Sequence, residues 1–119
     1  MSADETAPWP LPRNFLRPCV LLLLREESAH GYDLLQRLRP LGFVRDDPGG
    51  LYRALRALEQ DGLVRSSWDE SGSGPDRRVY RVTRAGLEEL HRSAKSLANV
   101  REALDAFLAR TGEVGRTHR

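Results

Sequence analysis

The sequence predicts a mainly α-helical domain of the α+β class, with a small β-hairpin placed before a long last helix. Three segments with apolar residues at helical spacing fall between residues 13 and 62. Two short β-prone segments follow, on either side of a Ser/Gly-rich stretch. Helical spacing then returns over residues 84–111. This order of elements is that of a winged helix-turn-helix with a two-stranded wing and a long C-terminal helix.

Length and cysteine usage fit one small intracellular domain. The chain has 119 residues, of which 39% are apolar, enough for one core. Its single cysteine, Cys19, excludes an internal disulfide and a cysteine metal cluster, so we expect a cytoplasmic protein. The apolar run Val20–Leu24 is far shorter than the ~20 residues a membrane span needs, and no membrane association is expected.

The charged residues are compatible with a nucleic-acid partner and give no sign of catalysis. All 19 basic residues except Lys95 are arginine, whose guanidinium suits bidentate contacts with phosphates and base edges. The three histidines, His30, His91 and His118, lack the paired spacing of a zinc site. No nucleophile elbow or phosphate loop occurs. We therefore expect no metal, no cofactor and no enzymatic activity.

The first helix is predicted to begin after Asn14, as its N-cap, and to run to about Glu27. Pro18 falls in the first turn, where backbone N–H groups lack intrahelical acceptors. The helix is apolar nearly all round, which predicts burial. Residues 1–12 contain two acids and three prolines and are predicted to form a flexible arm, with the DNA-binding unit over 13–83.

The second helix is predicted from near His30 to the stop formed by Pro40 and Gly42. One face of this helix is apolar, which predicts that it packs on the core. The residues of that face are Leu34, Leu35, Leu38 and Leu41.

The third helix is the candidate recognition helix. Asp47 is its predicted N-cap, Pro48 its first residue and Gly62 its end. Leucines at helical spacing form one face, and the opposite face lacks acids. Arginine can bridge O6 and N7 of guanine, and glycine allows close backbone approach. The candidate DNA contacts on this helix are Gly49, Gly50, Tyr52, Arg53, Arg56 and Gln60.

The hairpin is predicted from the β-prone segments 63–68 and 77–82, which flank a long flexible tip. Arg77 and Arg78 stand at the base of this tip and are candidate contacts to phosphates or to the minor groove. Strand alternation puts Tyr80 on the face of Arg78 and Val82, and a core role is predicted for it.

The last helix is the candidate dimerisation element. Thr83 is its predicted N-cap, and residues 112–119 form a flexible tail. At 1.5 Å per residue the helix spans roughly 40 Å, too long for so small a core to cover, so a second copy is the simplest partner. The candidate dimer contacts are Leu21, Leu24, Leu90, Leu97, Leu104, Phe107 and Leu108.

In combination, these segments resemble the PadR family of bacterial transcriptional regulators over about residues 15 to 90. The resemblance implies a homodimeric winged helix that binds double-stranded DNA, usually as a repressor, with the last helix packed on its mate and on the first helix. In some members the dimer interface encloses an effector pocket. The segments that carry the resemblance are His30–Leu35, Asp47–Leu55, Leu58–Glu59, Asp61–Val64, Arg78–Thr83 and Ala85–Gly86.

Two departures from the family pattern leave alternatives open. Gly50 stands where a Thr or Ser is common, which removes a hydroxyl that could bond a phosphate. The last helix has Phe107 and no tryptophan, so stacking of a flat effector between paired tryptophans is in doubt, and a small-molecule effector stays an open alternative. The other alternative is a winged-helix protein-interaction module without DNA readout, although such a surface more often exposes aromatics and leucines.

Overall fold

The computed structural model describes residues 11–69 and 77–113. The predicted arm, hairpin tip and tail lie wholly or mostly outside these residues. The winged helix-turn-helix is confirmed, with a longest dimension of 55 Å. Its elements are α1 (Leu16–Glu26), β1 (Ala29–His30), α2 (Gly31–Arg37), a 3₁₀ turn (Arg39–Leu41), α3 (Pro48–Gln60), β2 (Val64–Trp68), β3 (Arg78–Val82) and α4 (Arg84–Thr111).

The start of α1 differs from the prediction. Phe15, and not Asn14, occupies the N-cap position, and no side chain caps this helix. Asn14 instead adopts a left-handed backbone with φ 62°, a conformation that asparagine tolerates better than most residues. After this turn the Phe15 ring stacks on Phe43, with ring centroids 5.9 Å apart. Aromatic packing thus sets the entry to α1.

The core lies between α1, α2 and α3 and one face of the sheet. The predicted burial of α1 and of the apolar faces of α2 and α3 is confirmed, although Leu35 and Leu41 are only partly buried. Each fully buried aliphatic side chain contributes about 1.5 to 3 kcal/mol. Side chains that are less than 2% exposed are Val20, Leu21, Leu34, Leu51, Leu55, Leu58 and Val64.

The sheet has three antiparallel strands in the order β1-β3-β2. In the hairpin, Val64 pairs with Val82 and Trp68 with Arg78. The hairpin was predicted, but β1 was not: Ala29 pairs with Tyr80 and adds a short third strand. Tyr80 is buried, as predicted.

The last helix, α4, is only half supported by the rest of the domain. Its N-cap is Thr83, as predicted, whose Oγ1 accepts a hydrogen bond from Gly86 N at 3.0 Å. A Cβ at Gly86 would collide with the Leu63 carbonyl, so this glycine lets α4 approach the start of the hairpin. The first half of α4 packs on α1, whereas every residue from 99 to 113 is exposed.

Within residues 11–69 and 77–113, none of the helices is both long and apolar enough to cross a membrane. The same residues bring together no group of three or more His, Cys, Asp or Glu side chains that could hold a metal ion.

Candidate nucleic-acid interface

The position of α3 follows from its cap and its leucine stripe. Asp47 Oδ1 accepts a hydrogen bond from Gly50 N at 3.0 Å, and Pro48 occupies the first helical position, where its missing N–H costs nothing. Leu51, Leu55 and Leu58 are buried, which fixes the rotation of the helix about its axis. The opposite face is therefore turned away from the core.

This outward face carries arginines that contact no acid within residues 11–69 and 77–113. Arg53, Arg56 and Gln60 are all exposed. Among the residues that the structure describes, no hydrogen bond or ion pair is formed by the side chains of Arg53 or Arg56. An Arg53 Nη1 lies near Gly49, 3.3 Å from the position that a Cβ there would take. The Arg53 guanidinium therefore lies close to the N-terminus of α3.

The acids at or near the ends of α3 are all held by other groups. Asp47 caps the helix, Glu59 Oε2 accepts a hydrogen bond from the Ser66 hydroxyl at 2.9 Å, and Asp61 pairs with Arg17 at 3.0 Å. Each carboxylate is thus tied to the protein. The arginine face keeps its positive charge available for a polyanion.

Tyr52 and Gly50 have structural roles in addition to their predicted contacts. Tyr52 is half-buried, and it packs on α2 where Gly31 has no side chain. Its hydroxyl oxygen lies 2.5 Å, and its nearest ring atom 2.7 Å, from the position that a Cβ at Gly31 would take. A Cβ at Gly50 would meet the Asp47 carboxylate, so this glycine leaves room for the cap. Contact of either residue with DNA stays a prediction.

The two predicted wing arginines lie in different surroundings. Arg77 is exposed next to β3, and its carbonyl accepts a hydrogen bond from Asp69 N at 2.6 Å. Arg78 turns toward the hairpin: its Cζ lies 5.0 Å from the centroid of the Trp68 ring, and Nη1 donates to Ser66 Oγ at 2.9 Å. Both arginines are therefore exposed, and Arg78 is in addition held in a network with β2.

Sequence reasoning missed two further groups on the outer face of the sheet. Arg65 and Arg81 are directly opposite each other in the hairpin and both are exposed; strand alternation could have placed them there. His30 Nε2 lies 2.9 Å from Asp69 Oδ2, while Nδ1 lies 3.5 Å from Asp33 Oδ2. This contact ties β1 to the outer end of β2, and no short-range signal predicts it.

The predicted dimer contacts fall into two classes. Leu21, Leu24 and Leu90 are buried in the chain's own core, so α1 does not offer Leu21 or Leu24 to a partner as the prediction supposed. Leu97 is half-buried. The exposed members, with exposed fractions in parentheses, are Leu104 (56%), Phe107 (62%) and Leu108 (36%), joined by the unpredicted Val100 (47%).

A groove of about 210 Å³ runs between α1 and α4. Cys19, Leu22, Leu90 and Leu97 are among its mostly apolar lining residues. Burial raises the pKa of the Cys19 thiol to about 11, because the thiolate is poorly solvated there. The thiol is therefore neutral and acts as a small apolar group.

A family model described as "Transcriptional regulator PadR-like family" matches residues 20–92. The transcriptional regulator Rv3488 of Mycobacterium tuberculosis is 41% identical over 93 residues, which cover 72% of this chain and 85% of the relative. The crystal structure of a PadR family regulator from Eggerthella lenta superposes with a TM-score of 0.70 at 33% identity, covering 81% of this chain and 83% of that one.

A further solved structure is Bacillus subtilis PadR in complex with operator DNA. It superposes with a TM-score of 0.56 at 26% identity, over 71% of this chain and 48% of that one. The family match covers the whole of α2, α3 and the hairpin, the elements that build the arginine face. The chain belongs to the PadR-like family of transcriptional regulators.

Proposed function

We propose that this regulator binds double-stranded DNA by placing the outward face of α3 in the major groove. The observation that carries the proposal is the charge arrangement of α3: Arg53 and Arg56 are exposed and have no acidic partner in the part of the chain that the structure describes. A solvated surface helix would more often pair its arginines with acids three or four residues away. In the proposed complex, the arginines contact guanine edges or phosphates and Gln60 contacts an adjacent base.

The wing supplies the second part of the proposed surface. Arg77 reaches the phosphates beside the groove that α3 occupies, a contact that positions the protein without reading sequence. The operator complex of Bacillus subtilis PadR supports duplex DNA as the partner. No catalytic step is part of the proposal, and we expect the protein to act in the cytoplasm.

The proposed active species is a homodimer that is held together by the outer half of α4. Two copies present two α3 helices, which can enter successive major grooves if they lie ~34 Å apart. The exposed Leu104, Phe107 and Leu108 support this assembly, because a single copy leaves them in water. In the proposed boundaries, residues 13–83 form the DNA-binding unit and residues 84–111 the dimerisation helix.

Repression is the proposed direction of control, by analogy with the family. A small apolar effector at the dimer interface is the proposed means of regulation, supported by the groove between α1 and α4. Such a ligand would contact Leu22 and Leu97 and so alter how the two copies are spaced.

The proposal is tested by selecting duplexes from a random-sequence library and measuring binding by fluorescence anisotropy. The selected duplex is compared with a scrambled duplex of the same composition at two salt concentrations. We expect the selected duplex to bind at least ~10³-fold more tightly, and both affinities to fall steeply with salt. Failure to bind any duplex would instead favour the protein-interaction module. Equal binding of both duplexes would contradict sequence readout.

A further inference from the structure

The C-terminal end of α3 is connected to the wing by a chain of polar contacts. Ser66 Oγ donates to Glu59 Oε2 at 2.9 Å. Arg78 Nη1 donates to the same hydroxyl oxygen at 2.9 Å. We call this arrangement the Glu59–Ser66–Arg78 relay. It places a guanidinium within two hydrogen bonds of the only acid inside α3.

The position of Glu59 is unfavourable for a helix that binds DNA. A carboxylate in the last turn of a helix opposes the helix dipole. It also stands one residue before Gln60 and three after Arg56, on a helix proposed to face a polyanion. An unrestrained Glu59 side chain could swing toward the phosphates and repel them. In the structure it is turned to the hairpin instead.

The orientation of Arg78 is fixed from two sides. Trp68 is its direct cross-strand partner, and the indole ring lies under the guanidinium at 5.0 Å, a separation typical of a cation–π contact. Ser66, two residues earlier on the same strand face, receives its hydrogen bond. Arg77 immediately precedes β3, and continued strand alternation would turn its side chain to the other face of the hairpin. The two arginines of the wing therefore have separate roles.

We infer that Arg78 is a positioning residue for DNA binding, and not a phosphate contact. It holds Glu59 toward the hairpin, away from the DNA, and fixes the angle between the wing and α3. This inference depends on the proposed DNA-binding function. It assigns the wing's phosphate contact to Arg77 and not to Arg78. It also implies that the loss of Arg78 weakens DNA binding only when Glu59 is present.

The test is a double-mutant cycle with Arg78→Ala, Glu59→Gln and the combined variant, using the selected duplex across a range of salt. Arg78→Ala is expected to weaken binding by roughly ten-fold, and Glu59→Gln in the same chain to restore most of that loss. The salt slope of the combined variant should equal that of the wild type. Circular dichroism checks that each variant is folded.

The matched control is Arg77→Ala, which removes the same charge from the neighbouring position. Here the salt slope should fall by about one unit, and Glu59→Gln should restore nothing. The inference is overturned if Arg78→Ala behaves like Arg77→Ala, with a reduced slope and no recovery. If the wild-type protein binds no duplex, the proposed function fails as well. That outcome differs from a failure of the inference alone, because none of the variants would then bind DNA.

Discussion

Arg53 and Arg56 differ in position along α3, and this difference suggests different roles in DNA binding. Arg53 lies over the helix N-terminus beside Gly49, where phosphate contacts are common. Arg56 stands nearly one turn further along the same exposed face, closer to Gln60. We therefore expect Arg56 to make a base contact, with its guanidinium reading one base pair of the operator.

The variant Arg56→Ala is expected to lose about 1 to 3 kcal/mol of discrimination at one base position and little elsewhere. The measurement is a binding titration on the selected duplex and on its single-base variants. Lys95→Ala is the control, because it removes one exposed charge from α4 and should leave all affinities nearly unchanged. Equal losses on every duplex would reassign Arg56 to the phosphate backbone.

The single cysteine offers a second residue-level prediction. The raised pKa of Cys19, about 11 against an ordinary 9.0, predicts resistance of the folded protein to iodoacetamide at about pH 8, since the thiolate is the reactive form. The unfolded chain loses this proton at lower pH than the folded one. Cys19 therefore contributes stability that is fully present below pH 9.0 and decreases as the pH rises toward about 11.

Mass spectrometry after timed alkylation measures this protection. The control is the same reaction in guanidinium chloride, where one adduct should form readily. Alkylation of the folded protein at the rate of the denatured protein would contradict the burial of Cys19.

Single-residue roles were predictable from sequence where local geometry decides them. The caps Asp47 and Thr83 were predicted and are present, because an N-cap depends only on residues within one turn. Asn14 was wrongly predicted as a cap, since the Phe15–Phe43 stack depends on residues distant in sequence. The surroundings of Arg78 depend on which residue of β2 lies opposite it. A pattern read along a single strand does not give that pairing.

At the scale of elements, the start of α3 both stabilises the helix and carries residues that are proposed to contact DNA. Asp47 accepts a hydrogen bond from Gly50 N and fixes the first turn of α3, which contains Gly49. Arg53 follows one turn later. Asp47→Ala removes this hydrogen bond and is expected to destabilise the protein by about 1 kcal/mol, which corresponds to roughly 4 °C in melting temperature.

The matched control for this cap is its neighbour, Asp46→Ala. Asp46 forms an exposed ion pair with Arg39 at 3.1 Å, and such pairs contribute little to stability. Thermal unfolding followed by circular dichroism compares the two variants. The same fall in melting temperature for both would show that Asp47 has no special role as a cap.

The helices and the hairpin were predictable because each carries a periodic pattern over many residues. The third strand was not predictable. β1 has only two residues, Ala29 and His30, too few for a period. It exists because Ala29 pairs with Tyr80 on the central strand, a tertiary contact that overrides local preference.

At the scale of the whole molecule, the proposed dimer is tested through the exposed outer half of α4. Leu104→Asp combined with Phe107→Asp places two charges where the proposed partner packs, and burying an unpaired charge is costly. Because both side chains are exposed within one chain, the fold of the single copy should survive. We expect light scattering to give one chain, 13.5 kDa, for the variant and twice that mass for the wild type.

The matched control is Ala106→Asp with Ala109→Asp, which adds the same charges to the opposite face of α4 and should leave the dimer intact. The variant that dissociates should also lose most of its affinity for the selected duplex, since one α3 then binds alone. A wild-type mass of one chain would contradict the proposed dimer. A monomeric variant with unchanged affinity would contradict the link between assembly and DNA binding.

That the core leaves part of α4 uncovered could be predicted from sequence, but not which of its apolar side chains are exposed. The length of α4 indicated that the core could not cover it, and the exposure of residues 99–113 confirms this. The sequence pattern cannot tell a leucine that is buried within its own chain, such as Leu21, from one that is exposed in a single copy, such as Leu104. Both obey the same helical period.

The half of α4 that stands beyond the core has a consequence for regulation. This half continues a helix whose first half packs on α1, so it can form in a single copy, and the proposed partner would cover its exposed apolar side chains. Assembly of the proposed dimer would then be an equilibrium that depends on protein concentration. While free single copies predominate, doubling their number raises the number of dimers roughly four-fold by mass action. The fraction of promoter bound would then rise more steeply than the concentration of this protein. Regulation would therefore respond to the number of copies of its gene.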